Sequence, residues 1–414
     1  MEKLAILGGS KVKTTPYGEG ERFGEAELRE LEAALKQNTL FYVKSNAHQV
    51  KRMTEKMAEM YGMEYCVATS SGTASVHVAL GALGITAGDE VITTPVTDMG
   101  TIIGILAQNA IPVFADIDPN NFNIDAKSIE KCITDKTKAI IAVHLAAVPC
   151  DMDAIMAVAR KHNVKVIEDC CQAFGCKYKG RYVGTIGDIG CFSFNEFKHI
   201  VAGDGGCVLV NGEDMFYKCH RFADKEYDRF GKEIRKIPFL APNYRMNELT
   251  ASCVLGQLTK ADFICRRREE VGNIITRGLK EIPGIISYNI GKDDTTPYLW
   301  YMFCIDEEKL GVSRNEFTEA LCAEGISAGK GYLATCVYMY DLFQNKSAYQ
   351  NTHCPFDCKY YGKNIEYKEG LTPVAEKVLK TAVRLPITEF MTDEDSYETV
   401  RAVKKVAEYY LSRK

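Results

Sequence analysis

Short apolar runs alternate with amphipathic patterns along the middle of the chain. Between residues 64 and 211 most of these runs are continuous, which is typical of strands that helices cover on both faces. The predicted strands are Tyr65–Thr69, Glu90–Pro95, Ile111–Asp116, Ala139–Leu145, Val164–Asp169, Gly190–Phe194 and Cys207–Val210. The predicted helices between them are Ala74–Leu83, Thr101–Gln108, Ala126–Cys132 and Met152–His162. This alternation predicts an α/β fold with a mostly parallel sheet flanked by helices.

The flanking regions show helical patterns on both sides of the sheet region and a smaller mixed pattern after it. Further helices are predicted at Glu25–Gln37, Gln49–Tyr61, Asn243–Thr259 and Lys260–Glu281. Beyond them the predicted elements are a strand at Tyr298–Ile305, a helix at Arg314–Glu324 opened by Ser313, and a final helix from about Asp393 capped by Thr392. The polar, poorly periodic stretch Asn345–Gly370 is expected to be a long surface excursion.

We therefore expect two domains. Residues 1–260 would form the N-terminal helices and a large α/β domain, and residues 261–414 a smaller C-terminal α+β domain.

Composition and charge exclude several classes of protein. Of 414 residues, 46% are hydrophobic and 26% charged, which is typical of a globular protein. The 51 basic and 55 acidic residues give a net charge of −4, and this evenly mixed charge gives no electrostatic indication of binding to nucleic acid or anionic lipid. No apolar run approaches the roughly 18–20 residues of a membrane span, and the N-terminal apolar run is too short for a signal peptide. We expect a cytoplasmic protein.

The 16 cysteines are scattered along the chain. The closest groupings are Cys170, Cys171 and Cys176, and the pair Cys354 and Cys358. Because these spacings lack the repeated C-x₂-C pattern of metal sites, we expect free thiols in a reducing compartment and no metal.

Three predicted strands end in residues that suit ligand binding, at the edge where open α/β sheets bind ligands. The first end continues into the small residues Thr69 through Ala74 and then into a helix. Free amides and hydroxyls at such a helix start hold phosphate groups, and an ordinary helix cap is the alternative.

The second strand ends in Glu168 and Asp169. A buried carboxylate needs a cationic or hydrogen-bonding partner, and the protonated ring nitrogen of a cofactor is one such partner. The alternative is an acid that caps the next helix.

The third strand, Gly190–Phe194, is followed by Lys198 and then by the turn Gly203 through Gly206. Apolar surroundings favour the neutral, nucleophilic amine of a lysine, and a solvated surface lysine is the alternative. A phosphate cradle, a buried carboxylate and a reactive amine on one sheet fit pyridoxal phosphate. Its pyridine nitrogen would pair with the carboxylate and its aldehyde with the lysine.

These motifs resemble those of the DegT/DnrJ/EryC1/StrS aminotransferases, fold-type I enzymes that use pyridoxal phosphate and act mostly on keto sugars and keto cyclitols. The resemblance extends from about residue 5 to the C-terminus and is strongest from 65 to 250. The matching segments are Ser71-Gly72-Thr73, Glu168 through Gln172, Ser193 through Gly206, and Asn243-Tyr244-Arg245-Met246. Asp204 replaces the more usual Glu in the third segment.

The resemblance implies a role for each matching residue. Asp169 would contact the pyridine nitrogen, Gln172 would lie near the ring hydroxyl, and Lys198 would form the internal aldimine. The phosphate would be bound by Ser71, Gly72, Thr73 and Ser193. In relatives the Asn243 position reaches the phosphate of the neighbouring subunit, which implies a homodimer with shared active sites.

Two departures from the family fall where substrate would lie. Relatives place an aromatic residue after the strand Glu90–Pro95, and here Asp98 or Met99 takes that place, so we expect Met99 at the cofactor ring. Relatives also tend to have an aromatic residue soon after His144-Leu145, where this chain has two alanines. Expected substrate contacts, each with a structural role as its alternative, are Tyr42, His144, Arg245 and Tyr332.

The resemblance implies an aminotransferase that moves an amino group from a small-molecule donor, glutamate or glutamine, to a keto sugar or keto cyclitol in two half-reactions. One alternative is other pyridoxal-phosphate chemistry, such as dehydration or elimination. Lys198 argues against the dehydrating branch, which has His at that position. A second alternative is a non-catalytic regulatory protein that binds the same cofactor. A nucleotide-binding Rossmann protein is disfavoured because no strand is followed by G-x-G-x-x-G.

Overall fold

The computed structural model describes residues 2–231 and 236–413. Its strands are β1 (Tyr65–Thr69), β2 (Glu90–Thr93), β3 (Ile111–Phe114), β4 (Thr137–Val143), β5 (Lys165–Asp169), β6 (Lys177–Tyr178), β7 (Arg181–Tyr182), β8 (Ile189–Ser193), β9 (Gly206–Val210), β10 (Ile285–Ile286), β11 (Trp300–Ile305) and β12 (Ala382–Pro386). Its helices are α1 (Glu25–Lys36), α2 (Gln49–Tyr61), α3 (Gly72–Ala82), α4 (Met99–Ala107), α5 (Ala126–Cys132), α6 (Met152–His162), α7 (Glu213–Ala223), α8 (Glu248–Leu258), α9 (Ala261–Lys280), α10 (Glu307–Leu310), α11 (Arg314–Ala323), α12 (Asp341–Gln344), α13 (Pro373–Thr381) and α14 (Asp393–Leu411).

The central sheet has seven strands within the described residues, in the order β1-β9-β8-β5-β4-β2-β3. Strand β9 runs opposite to the other six, which are parallel to one another. Every residue of β2, β8 and β9 is buried, as expected for strands covered on both faces. The predicted α/β fold with a mostly parallel sheet is confirmed.

Strand register brings the predicted site residues to one edge of this sheet. Thr69 ends β1 and Ser193 ends β8, and both pair with Gly206 at the start of β9. Asp169 ends β5, the strand next to β8. A Cβ atom at Gly206 would lie 2.5 Å from the carbonyl oxygen of Ser71, so only glycine lets the three chain segments approach this closely.

Side-chain caps decide where several helices begin. The hydroxyls of Ser313 and Thr392 each accept the amide hydrogen of the residue three positions later, so both predicted caps are confirmed. The helix expected from Asn243 begins only at Glu248, because the side chain of Asn247 caps it.

A smaller antiparallel sheet, in the order β10-β11-β12, follows α9. The sequence predicted β11 but not β12, α7 or α13. Helix α9 packs against α14, and the expected domain boundary at residues 260 and 261 stays a prediction.

The beginning of the chain packs against its end. Leu4 is fully buried in the hydrophobic cluster that contains β11 and β12. The ammonium group of Lys13 is buried and pairs with the carboxylates of Asp395 and Glu398 on α14. The N-terminal segment is therefore part of the C-terminal packing.

The interpretation of Asn345–Gly370 as a surface excursion is wrong for three of its five aromatic residues, whereas Tyr349 and Tyr360 are exposed. Phe356, Tyr361 and Tyr367 are buried, and the Tyr367 hydroxyl donates a 2.7 Å hydrogen bond to the carbonyl of Pro112. The segment takes an irregular course, so its apolar residues lack the spacing that marks a helix or a strand.

Among the described residues, the structure has no helix long and apolar enough to cross a bilayer.

Candidate active site

A cavity of about 930 Å³ lies between the carboxyl ends of the central strands and the smaller sheet. The central domain lines it with Ser71, Gly72, Thr73, Val76, Thr97, Asp98, Gly100, Thr101, Val143, Asp169, Cys171, Gln172, Ser193, Asn195, Phe197, Lys198 and Asp204. The C-terminal part contributes Leu299, Trp300, Ser327, Ala328, Gly329, Tyr332, Arg384, Pro386 and Ile387. The structure thus brings together eight of the residues that the sequence singled out: Ser71, Gly72, Thr73, Asp169, Gln172, Ser193, Lys198 and Tyr332.

The start of α3 forms an end of the cavity that suits an anion. The side chain of Ser71 caps the helix by accepting the amide hydrogen of Ala74 at 3.1 Å. The amides of Gly72 and Thr73 belong to the first turn, where no carbonyl within the helix reaches them and the helix dipole is positive. A Cβ atom at Gly72 would lie 2.7 Å from the Ser193 Cβ, so this turn packs directly on the end of β8. These donors fit a phosphate group.

The Asp169 carboxylate is buried and held by two donors. The hydroxyl of Thr101 donates to its Oδ2 at 2.7 Å, and the amide of Cys171 donates to its Oδ1 at 3.0 Å. Each oxygen keeps a second lone pair for a cationic ligand. Thr101 was not among the predicted site residues. Its position in the helix that follows β2, at the same edge of the sheet, was the signal that could have identified it.

Lys198 lies in the turn after β8 and is held through its backbone. Its amide donates to the carbonyl of Asn195 at 2.9 Å. The guanidinium of Arg22 donates to the carbonyls of Lys198 and His199, each at 3.0 Å, and also to the Glu389 carboxylate at 2.9 Å. Within residues 2–231 and 236–413 the Lys198 ammonium group itself makes no hydrogen bond or ion pair. The backbone is fixed while the amine stays available.

Gln172 and Tyr332 connect the two walls of the cavity. The Gln172 amide nitrogen donates to the Tyr332 hydroxyl at 3.1 Å, and its oxygen accepts the amide hydrogen of Ala146 at 3.0 Å. The Tyr332 ring stacks on Trp300 with centroids 4.9 Å apart. Burial raises the pKa of Tyr332, with a further contribution from the Asp98 charge, so this hydroxyl is protonated at neutral pH.

His144 lies behind the cavity wall rather than on it, which corrects its expected substrate contact. The ring is fully buried, with Nε2 3.1 Å from the Glu168 carboxylate and Nδ1 accepting the amide hydrogen of Cys150 at 3.0 Å. Burial alone would raise the pKa of Glu168, but the His144 hydrogen bond and nearby amides lower it further than burial raises it. His144, Glu168 and Cys170 are the one group of metal-ligand type in the described part of the chain. The ring nitrogens of His144 and the carboxylate of Glu168 already have hydrogen-bond partners within the protein.

Met99 also lies outside the cavity lining. Its side chain packs against the hydrophobic cluster of the C-terminal part, while Thr97 and Thr101 line the wall at that strand end. The expected contact of Met99 with the cofactor ring therefore has no support in its position.

Tyr42, Arg245 and Asn243 lie together at a second location. Arg245 pairs with the buried carboxylate of Asp224, and its guanidinium lies 5.2 Å from the ring centroid of Phe41. Burial, with the Asp224 charge, raises the pKa of Tyr42 to about 12. Asn243 is exposed and forms a backbone bridge to Asp224. None of the three lines the cavity of its own chain.

The mostly parallel sheet, the anion site at α3, the buried Asp169 and the available amine of Lys198 define a class of protein. This class is the fold-type I transferases that use pyridoxal phosphate.

Comparisons with known proteins identify the family. The profile of the DegT/DnrJ/EryC1/StrS aminotransferase family matches residues 21–357. A Micromonospora echinospora protein named as an L-glutamine:3-amino-2,3-dideoxy-scyllo-inosose aminotransferase is 34% identical over 384 residues, which cover 91% of this chain and 90% of that protein. GDP-perosamine synthase of Escherichia coli O157:H7 is 37% identical over 241 residues, covering 58% and 66%.

A solved structure shows the same fold. The aminotransferase from Psychrobacter cryohalolentis superposes with a TM-score of 0.80 at 30% sequence identity, covering 96% of this chain and 99% of that one. The chain belongs to the DegT/DnrJ/EryC1/StrS aminotransferase family, and it is a pyridoxal-phosphate-dependent aminotransferase.

Proposed function

We propose that this enzyme transfers an amino group from glutamate or glutamine to a keto sugar or keto cyclitol in a biosynthetic pathway. The observation that carries the proposal is the meeting of Lys198, Asp169 and the start of α3 in one cavity. The names of the relatives support a cyclitol or a nucleotide-linked sugar as acceptor, and the first also supports glutamine as donor.

In this proposal each end of the cavity holds one part of the cofactor. Gly72, Thr73 and the hydroxyls of Ser71 and Ser193 bind the phosphate, and Asp169 pairs with the ring nitrogen. When bound, pyridoxal phosphate supplies an aldehyde that takes up the amino group and an electron-withdrawing ring. Gln172, fixed at both ends of its side chain, orients the ring from the side.

Lys198 is the residue that moves the proton. With pyridoxal phosphate bound, its amine would hold the cofactor through the aldehyde and, once free, would carry a proton between the donor carbon and the cofactor side. The second half-reaction runs the same steps in reverse on a ketone. Arg22, which fixes the Lys198 carbonyl, keeps the free amine within reach of both carbons.

The test is the visible absorbance of purified holoenzyme during titration with L-glutamate and L-glutamine. We expect a band of lysine-bound cofactor that an amino donor bleaches and that a keto sugar restores. Lys198→Ala should abolish the bleaching cycle, while Lys138→Ala, which removes an exposed lysine, should leave it unchanged. A stable band that no amino donor changes would overturn the proposed function.

We further propose a homodimer with shared active sites. Exposed apolar side chains support it, and one of them, Phe197, lines the cavity. They are Phe41, Phe197, Phe230, Ile237, Phe239 and Leu240. Leu240 is 93% exposed and Phe197 82% exposed, which is costly for a monomer in water. In such a dimer the exposed Asn243, with Tyr42 and Arg245, would face the partner's cavity.

Mixing two inactive variants tests this arrangement. Lys198→Ala and Asn243→Ala subunits, co-refolded, should form hybrid dimers in which one of the two sites is intact, because that site takes Lys198 from one chain and Asn243 from the other. Activity that returns on mixing supports shared sites, and mixed inactive dimers that stay inactive contradict them.

A cytoplasmic location is also proposed, and the 16 cysteines, all free, support a reducing compartment.

A further inference from the structure

Two cysteines in the irregular segment after α12 lie at the two ends of one turn. Cys354 and Cys358 are both partly exposed. His353 directly precedes the first cysteine and Asp357 the second, and the His353 Nδ1 lies 3.1 Å from the Asp357 carboxylate. The turn therefore brings the two ends of this short stretch together. No residue from 353 to 358 lines the cavity that holds Lys198, so the pair belongs to a separate part of the surface.

The two thiols contact each other, and one of them is favoured as a thiolate. The sulfur of Cys358 accepts hydrogen bonds from the Cys354 thiol and from the backbone amides of Tyr360 and Tyr361. Burial acts to raise the pKa of Cys358, but these hydrogen bonds lower it below its ordinary value. For comparison, burial raises the pKa of Cys171, which lines the cofactor cavity. Because the thiolate is the reactive form, Cys358 is the more nucleophilic of these cysteines.

The turn is fixed to the core on both sides, which keeps the thiols within reach of each other. Phe356 lies between the two cysteines and is fully buried, with its ring centroid 5.9 Å from that of Phe343 and 5.7 Å from that of Tyr367. After the turn, the hydroxyl of Tyr361 donates a 2.9 Å hydrogen bond to the buried carboxylate of Glu90 at the start of β2. The thiol pair is thus part of a held structure and not of a loose loop.

We propose that Cys354 and Cys358 form a thiol–disulfide exchange site whose oxidant is a small disulfide such as oxidised glutathione. The Cys358 thiolate attacks one sulfur of that disulfide and releases one glutathione thiolate. The Cys354 thiol then loses its proton, attacks the Cys358 sulfur of the mixed disulfide and releases the second glutathione thiolate. One S–S bond forms in the protein, and oxidised glutathione is reduced to two molecules of glutathione. This exchange is independent of the aminotransferase reaction.

Closure of this site would stabilise the segment that surrounds it. The new bond would join the two ends of the turn that places Phe356 in the core. A crosslink between two such positions restricts the unfolded chain and leaves the folded chain in place where the sulfur atoms already meet. We therefore expect the oxidised protein to unfold at a higher urea concentration than the reduced protein.

The test treats purified holoenzyme with oxidised glutathione, blocks the remaining thiols with iodoacetamide and digests the protein with trypsin. One tryptic peptide, Ser347–Lys359, contains both cysteines. We expect this peptide to have lost both thiol hydrogens and to carry neither glutathione nor the alkyl label, and dithiothreitol should restore its two thiols. Urea unfolding of the oxidised and reduced samples, followed by far-UV circular dichroism, measures the effect on stability.

Three variants separate exchange within the pair from simple modification of a surface thiol. Cys354→Ser removes the thiol that resolves the mixed disulfide, so we expect about tenfold more glutathione on Cys358 than in wild type. Cys358→Ser should slow the reaction of the peptide, because Cys354 lacks the amide donors of its neighbour. Cys322→Ser removes an exposed cysteine of another region and should leave the reaction of the peptide unchanged.

Three results would overturn the inference. The first is a wild-type peptide that carries stable glutathione on Cys358 and an alkyl label on Cys354. The second is a peptide with both cysteines alkylated after treatment that places glutathione on Cys322. The third is a closed disulfide that leaves the urea midpoint unchanged, which would overturn the stabilising effect of closure.

Discussion

The contacts of Arg22 predict that this arginine, far from Lys198 in sequence, holds the proposed catalytic lysine in place. Its guanidinium donates three hydrogen bonds, two to the carbonyls of Lys198 and His199 and one to Glu389, whose carboxylate also accepts from Arg268 at 2.8 Å. Removing the side chain with Arg22→Ala leaves the carbonyls of Lys198 and His199 without this donor. It also leaves the Glu389 carboxylate, 2% exposed, with one cationic partner in place of two.

The magnitude follows from these contacts. A charged hydrogen bond contributes about 1.5–3 kcal/mol, and the Arg22 side chain is 20% exposed, so water replaces part of each bond. We expect Arg22→Ala to lower the free energy of unfolding by about 2–4 kcal/mol. Because the loss loosens the backbone of Lys198, we also expect the band-bleaching rate to fall by about tenfold or more.

Urea unfolding followed by far-UV circular dichroism measures the stability, and stopped-flow absorbance with glutamate measures the rate. Arg29→Ala is the matched control, since Arg29 is an exposed arginine of the neighbouring helix α1, and its change should stay within about 0.5 kcal/mol. Equal stability losses in the two variants, with an unchanged rate, would refute the role assigned to Arg22.

Three further predictions concern packing and pH. Gly72→Ala places a Cβ atom 2.7 Å from the Ser193 Cβ, so we expect cofactor binding to weaken by about 1–3 kcal/mol. An absorbance titration measures this affinity, and an unchanged value would contradict the close packing of α3 on β8. Phe356→Ala should lower the free energy of unfolding by about 3–5 kcal/mol in urea, because the side chain is fully buried. A change near zero would show that this side chain is not buried in the core. Burial acts to raise the pKa of Asp395, but Lys13 and the cap of α14 lower it below the ordinary value of about 3.9. The ionised Asp395 carboxylate therefore contributes its full stabilisation at neutral pH, and this contribution is lost as the pH falls through the lowered pKa. The difference in free energy of unfolding between wild type and Asp395→Asn should be constant from pH 7 to about pH 5 and should decrease below about pH 4. A difference that does not depend on pH would refute the pairing of Lys13 with Asp395.

The sequence by itself determined the central sheet and the chemistry at its edge. Buried parallel strands are continuous apolar runs, and the residues after them meet at one edge by topology alone. For this reason the grouping of Ser71, Asp169 and Lys198 was predictable without coordinates. The caps at Ser313 and Thr392 were predictable as well, because capping depends on residues three positions apart.

Only the tertiary structure decided which distant residues complete the site. Arg384 and Trp300 lie far along the chain, and β12 has too short and mixed a pattern to predict. Arg22 reaches Lys198 across 176 positions. Local periodicity carries no information about such contacts. The burial of Phe356 and the position of His144 behind the cavity wall have the same cause, since both depend on how separate segments pack against one another rather than on the residues beside them in sequence.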